Sequence, residues 1–248
     1  MSSTAKDKGP ISGLAAVSAS LLETGLYSDL TIKCQGRIWK AHRNVVFLQS
    51  KPLAAHLSGA FKESETGEID LPDDDPKTLD RLIQFLYKET FDDEPTFTGV
   101  LAANQDSRLI TCTKVYILAE KYDIPASKEL AKSKFEKAIA TDWNDGSLAA
   151  ILEMIYTELP EFDCGLKDVA LKATSEHIEE LVDRGEFADV CKQNGEIAFD
   201  VIKGCLEGKN LTKSMGICPQ CGQIRASSVS WQYNTKKFYC GQCGRTFA

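Results

Sequence analysis

At 248 residues, 43% apolar and 26% charged, the chain is long for one compact domain and short for three, and its composition excludes whole-chain disorder. A formal net charge of −7 hides an asymmetry: residues 208–248 carry six bases and no acid, while the first 207 hold 23 bases against 36 acids. An acidic body with a basic tail suggests two units with different partners, and no apolar run approaches the roughly 20 residues that span a bilayer.

Residues 1–10 are polar and read as a disordered N-terminus, with no signal-peptide core in the serine-rich stretch that follows. A soluble intracellular protein, nuclear or cytoplasmic and without a membrane partner, is therefore expected. Leu14, Val17, Leu21 and Leu22 recur at helical spacing and predict a helix ending near Thr24-Gly25. The alternation Leu30, Ile32, Cys34 predicts a strand, Gln35-Gly36 a turn, and residues 37–41 the returning strand. Two short helical pieces over 42–48 and 52–57 precede a short strand at 68–71.

The acids Asp73, Asp74 and Asp75 stand before Pro76 and a helix carrying Leu79, Leu82, Ile83, Phe85 and Leu86, where they meet the positive end of its dipole. Residues 91–106 read as an exposed polar loop. Helices follow over 108–121 and from Pro125 to about Ala140, then over 147–157, 166–184, 186–193 and 196–206. Residues 208–214 read as a linker.

Several ordered segments carry a resemblance: Tyr27-Ser28-Asp29-Leu30-Thr31-Ile32, His42-Arg43-Asn44-Val45-Val46-Phe47-Leu48, Ser50-Lys51-Pro52-Leu53, Gly59-Ala60-Phe61, Ile69-Asp70-Leu71-Pro72-Asp73, Phe85-Leu86-Tyr87 and Ala119-Glu120-Lys121-Tyr122. Together, over roughly 20–138, they resemble a BTB/POZ domain. Lys88 stands where that family usually has Thr. The resemblance implies an α+β class, a small sheet capped by helices over 11–138 with its N-terminal helix. The helices of 139–207 are similar to the extension of fungal BTB proteins. It further implies protein partners, a homodimer formed through the domain, and for many members an adaptor role for cullin-3 ubiquitin ligases. The family adaptors' hydrophobic-x-acid motif has a candidate in Phe61-Lys62-Glu63. By resemblance, Asp29 and Arg43 fall in a charged pocket near the family's dimer interface. The alternative is that Asp29 and His42 are polar groups paired around a hairpin and a helix start, because burial without a partner would cost a few kcal/mol. Leu14, Val17 and Leu21 form the candidate dimer element, since an amphipathic segment must bury its stripe somewhere; its own domain is the other place.

No residue set is arranged for catalysis. There is no HExxH, no Gly-flanked Ser with a His and an acid, and no dinucleotide fingerprint. The Gly-x-x-x-Gly-Lys over 204–209 is one residue short of a phosphate loop and reads as a helix end.

Nine cysteines, an odd number, argue against a disulfide framework. Five are scattered, but Cys218, Cys221, Cys240 and Cys243 form two CxxCG pairs with 18 residues between Cys221 and Cys240. Two residues between cysteines let a tight turn aim both sulfurs at one ion, so one structural Zn²⁺ on four thiolates is expected. Ile224, Val229, Trp231, Tyr233, Phe238 and Tyr239 suffice for a small antiparallel sheet between the pairs. The stretch 215–248 thus resembles a zinc ribbon, too small to fold without its metal. Two functional readings follow. One is a non-catalytic interaction or adaptor protein; the other is a nuclear regulator whose basic ribbon, through Lys236 and Lys237, contacts nucleic acid.

Overall fold

The computed structural model describes residues 13–57, 66–94, 106–213, 229–232, 237–240 and 246–247, with side chains as far as Glu207. The chain divides into two compact units between Lys167 and Asp168. The first opens with helix α1 (Leu14–Thr24), stopped by Gly25 in the left-handed conformation. Strands β1 (Leu30–Cys34) and β2 (Arg37–Ala41) form the expected hairpin, in register from Leu30 opposite Ala41 to Cys34 opposite Arg37. Gln35 and Gly36 both take positive φ, as a two-residue turn matching strand twist requires.

Helices α2 (Arg43–Phe47) and α3 (Lys51–Ala55) follow, the latter capped by Ser50, whose hydroxyl accepts from the Leu53 N–H. Strand β3 (Glu68–Asp70) then lies parallel to β1, with Ile69 opposite Ile32, and completes a mixed sheet ordered β2–β1–β3. Helices α4 (Pro76–Lys88), α5 (Arg108–Lys121), α6 (Pro125–Asp142) and α7 (Leu148–Glu158) build the rest of this unit. The core joins Leu30, Ile32 and Cys34 of β1 to Ile69, to Val46 and Leu53, to Leu79, Leu82, Ile83 and Leu86 of α4, and to Leu118, Tyr122 and Ile124. Each such aliphatic side chain contributes about 1.5–3 kcal/mol of burial free energy.

Helix α8 (Gly165–Glu176) crosses the division. The second unit continues with α9 (Ile178–Leu181), α10 (Gly185–Gln193), α11 (Gly195–Lys213) and strands β4 (Val229–Gln232), β5 (Lys237–Cys240) and β6 (Thr246–Phe247), an antiparallel sheet ordered β4–β5–β6. Gly204 lies inside α11, not at its end. A Cβ there would stand 2.4 Å from Ser175 Oγ, so glycine allows α11 to approach α8.

Four further expectations need correction. The helix expected over 166–184 breaks at His177, whose φ of −112° and ψ of 18° leave the helical region. Residues 208–213, expected as linker, continue α11; they contain no proline, and a lone Gly208 costs a helix only about 1 kcal/mol. Of the acids before α4, Asp75 alone caps it, accepting from the Thr78 N–H at 2.8 Å, while Asp74 turns into the core. The loop from 91 is not wholly exposed: Phe91 and Asp93 are buried, the Asp93 carboxylate taking Lys134 and, at 3.2 Å, both Nε and Nη2 of Arg108.

Burial alone would raise the Asp93 carboxyl, but Lys134 and Arg108 outweigh it and hold it below the usual carboxylate range. A depressed folded-state value stabilises the protein above the unfolded carboxyl's titration near pH 3.9, and that stabilisation disappears as pH falls through the folded value. Asp93→Asn should therefore cost about 1–3 kcal/mol at pH 7. In urea denaturation series from pH 7 down to pH 3, the gap between variant and wild type should close at the acid end; a constant gap would show that the charge is not what Asp93 contributes.

Candidate functional site

Tight pairing of polar groups begins where β2 runs into α2. His42 stands before α2 with its ring buried between the hairpin and α4. Its Nε2 lies 2.7 Å from the Leu26 carbonyl, which can only accept, so Nε2 carries a proton and Nδ1 accepts from the Tyr87 hydroxyl at 2.9 Å. The Tyr87 oxygen accepts in turn from the His42 backbone N–H at 2.8 Å. Burial pushes the Tyr87 hydroxyl up to about 12, so it stays a donor at physiological pH.

One residue on, the Arg43 N–H donates to Asp29 Oδ1 at 2.8 Å and Arg43 Nε donates to the Asp29 carbonyl at 3.1 Å. Asp29 and Arg43 are thus brought together across the mouth of the hairpin. Asp29 is exposed and Arg43 partly so, which leaves a carboxylate and a guanidinium facing solvent side by side. Gly67 makes this possible. It has a φ of +65°, and a Cβ there would lie 2.8 Å from Arg43 Nη2 and 3.1 Å from the Asp29 carbonyl. The Gly67 carbonyl then accepts from the Thr31 N–H at 2.8 Å, beginning the parallel pairing of β1 with β3.

The stripe on α1 divides. Leu21 and Leu22 pack against the core of their own unit, and Glu23 pairs with Lys88 at 3.2 Å. Leu14, by contrast, is 86% exposed and Val17 faces solvent as well. Leu26, Tyr27, Ile38 and Leu48, near the Asp29–Arg43 pair in sequence, are exposed too.

At the other end of β1, Asp74 accepts from Lys121 Nζ at 2.6 Å and from the Tyr122 hydroxyl, while Cys34 Sγ donates to its carbonyl at 3.1 Å. Burial, with Asp74 second, raises both the Cys34 thiol and the Tyr122 hydroxyl. Burial also pushes the Cys112 thiol up to about 12. These buried thiols are held protonated and act as packing groups.

Among the metal-site cysteines, Cys218, Cys221 and Cys243 lie outside the described residues, as does Lys236. Cys240 ends β5 opposite Val229, and Lys237 opens it opposite Gln232. The Gly59-Ala60-Phe61 segment and the Phe61-Lys62-Glu63 candidate also lie outside them. Among the described residues no three His, Cys, Asp or Glu side chains are grouped to hold a metal, and no helix is long and apolar enough to cross a membrane. Sequence reasoning did not single out Gly67 or the Tyr87 hydroxyl. Tyr87 enters the sequence reading only within the Phe85-Leu86-Tyr87 segment, and only the fold reveals the partner of its oxygen.

The BTB/POZ domain family model matches residues 19–139. BTB/POZ and MATH domain-containing protein 5 of Arabidopsis thaliana is 27% identical over 212 residues, covering 82% of this chain and 49% of its own length. BTB/POZ and MATH domain-containing protein 6 of the same plant is 24% identical over 213 residues, 84% of this chain and 49% of that protein. Protein 4 of that series is 26% identical over 171 residues, 68% of this chain and 35% of its own. The chain spans half or less of the length of these curated relatives. The two longer alignments exceed the domain itself, so the likeness runs beyond residues 19–139.

Proposed function

We propose that this chain, which carries a BTB/POZ domain and is distantly related to BTB/MATH proteins, acts as a non-catalytic adaptor that links a cullin-3 ubiquitin ligase to a protein partner. BTB domains mediate dimerisation and protein contacts and are typically non-catalytic. What carries the adaptor reading is the relationship to BTB/POZ and MATH proteins over 212 residues, longer than the domain alone. The exposed apolar side chains Leu14, Leu26, Tyr27, Ile38 and Leu48 are in keeping with a domain that works by contact. Calorimetric titration of the full chain with purified cullin-3 N-terminal domain should show saturable binding at tens of micromolar or tighter. Absence of heat and of pull-down at that concentration would end the adaptor reading.

We further propose that α1 contributes to a homodimer through Leu14 and Val17, with Leu21 fastening the helix to its own domain. Solvent-exposed Leu14 on a helix whose other end is docked is a surface that a second copy would cover. Light scattering should give twice the chain mass for the full protein and the single mass for a chain beginning at Leu26. Equal masses would remove α1 from the interface.

For the C-terminal cysteines we propose one Zn²⁺ held by Cys218, Cys221, Cys240 and Cys243, on the strength of the doubled CxxCG pattern and its 18-residue separation. The antiparallel pairing of β4 with β5 between the two pairs is compatible with that geometry. Elemental analysis should find about one zinc per chain, and replacement of Cys221 and Cys243 by Ser should abolish it. Purified wild-type protein with no metal would refute the assignment.

A further inference from the structure

The first unit holds a cleft of about 420 Å³ far along the chain from the hairpin. Tyr116 and Ala119 of α5, then Ile124 and Pro125 at the turn into α6, contribute to its lining. Its far wall is the segment from Phe162 to Gly165 that leads into α8.

The charges around it are unbalanced in a specific way. Glu120, Asp123, Glu129 and Asp163 line it, against the single base Lys128. That lysine is already engaged: its Nζ bonds Glu120 and lies 2.7 Å from Asp163 Oδ2. Asp163 is buried; its Oδ1 accepts from the Tyr116 hydroxyl at 2.7 Å and from the Gly165 N–H at 3.1 Å, while Oδ2 faces Lys128. Burial alone would raise the Asp163 carboxyl, but Lys128 and these donors hold it below the usual range. The inner pair is therefore a closed structural unit.

The rim is different. Asp123 and Glu129 are exposed and make no ion pair among the described residues. Beside them Phe162 is 81% exposed, a large aromatic ring on a cleft edge with nothing over it among the described residues. A carboxylate pair next to an uncovered aromatic face is complementary to a planar cation. A guanidinium can stack on the ring and donate in parallel to carboxylate oxygens, which an ammonium cannot do. Ala119, Ile124 and Pro125 in the lining would take the aliphatic stem of the same residue.

We propose that this cleft is a docking site for an arginine-bearing extended segment of a partner protein, with Asp123 and Glu129 pairing the guanidinium and Phe162 stacking on it. The proposal stands apart from cullin binding and needs no metal. Lys128 and Asp163 shape the cleft from behind as positioning residues.

The test uses the full chain and three fluorescein-labelled decapeptides, alternating Leu with Arg, with Glu or with Ser. The Arg–Leu peptide should give a saturable rise in polarisation that weakens as salt is raised, and the Glu–Leu and Ser–Leu peptides should not. Asp123→Asn combined with Glu129→Gln should weaken the Arg–Leu peptide at least tenfold. Phe162→Ser should weaken it severalfold; all three positions are exposed, so the variants should keep the wild-type melting temperature. Cys164 is exposed and lines the same cleft, so its alkylation, followed by mass spectrometry, should slow severalfold when the Arg–Leu peptide is bound. Equal binding of all three peptides, unchanged affinity in the charge variants, or an unprotected Cys164 would each overturn the proposal.

Discussion

The first unit depends on the pairing of β1 on both of its edges. Antiparallel to β2 through a two-residue turn and parallel to β3 across a sequence gap of more than thirty residues, β1 sets Leu30, Ile32 and Cys34 on one face against α4. A slip of one residue in either pairing would turn those side chains outward and place Thr31 and Lys33 in the core. The register is secured at both ends of the parallel pair. The Thr31 N–H donates to the Gly67 carbonyl at one end, and the Leu71 N–H donates to the Lys33 carbonyl at the other. The Asp29–Arg43 pair sits over the first of these bonds, so the polar surface at the hairpin mouth follows directly from sheet register.

A second device recurs around α5 and α6. Three carboxylates from loops, Asp74, Asp93 and Asp163, are each buried and each bonded to a lysine on this helix pair: Lys121, Lys134 and Lys128. A buried carboxylate without its cation would be strongly destabilising, so each pair specifies where its loop must dock more than it adds net stability. Tyr122 and Tyr116 reinforce two of the three by donating to the same carboxylates. The helix pair thus works as a post to which the connections before and after it are tied.

The hairpin, the α4 stripe and the long helices were legible in the sequence because each has a local cause. Alternation, a turn dipeptide, a capping Asp before Pro76, and apolar spacing are all readable within one window of residues. The segments that matched the BTB/POZ pattern were legible for the same reason, as ordered local strings. What escaped notice depends on partners distant in the chain. Asp93 sits in a run of acids and looks solvated until Lys134, 41 residues away, is brought to it. The Tyr87 hydroxyl finds His42 45 residues away. Asp29 and Arg43 were brought together only by the BTB/POZ resemblance, the alternative being Asp29 and His42 as polar groups paired around the hairpin. Asp29 bonds Arg43 and His42 bonds Tyr87, while Gly67, which gives the first pair room, gave no such signal.

The acidity of the body acquires a physical meaning from this division of labour. Of the carboxylates facing α5 and α6, the buried Asp74, Asp93 and Asp163 are each bonded to a lysine of that helix pair. Lys128 illustrates the consequence: engaged by Glu120 and Asp163, it cannot neutralise Asp123 or Glu129 at the cleft rim. An uncompensated negative rim beside an exposed aromatic ring raises the local concentration of cationic groups and favours contact by a basic partner, at a strength that falls as salt screens it. The same residues that fasten the helix pair internally therefore determine which sign of charge the surface above them can recognise.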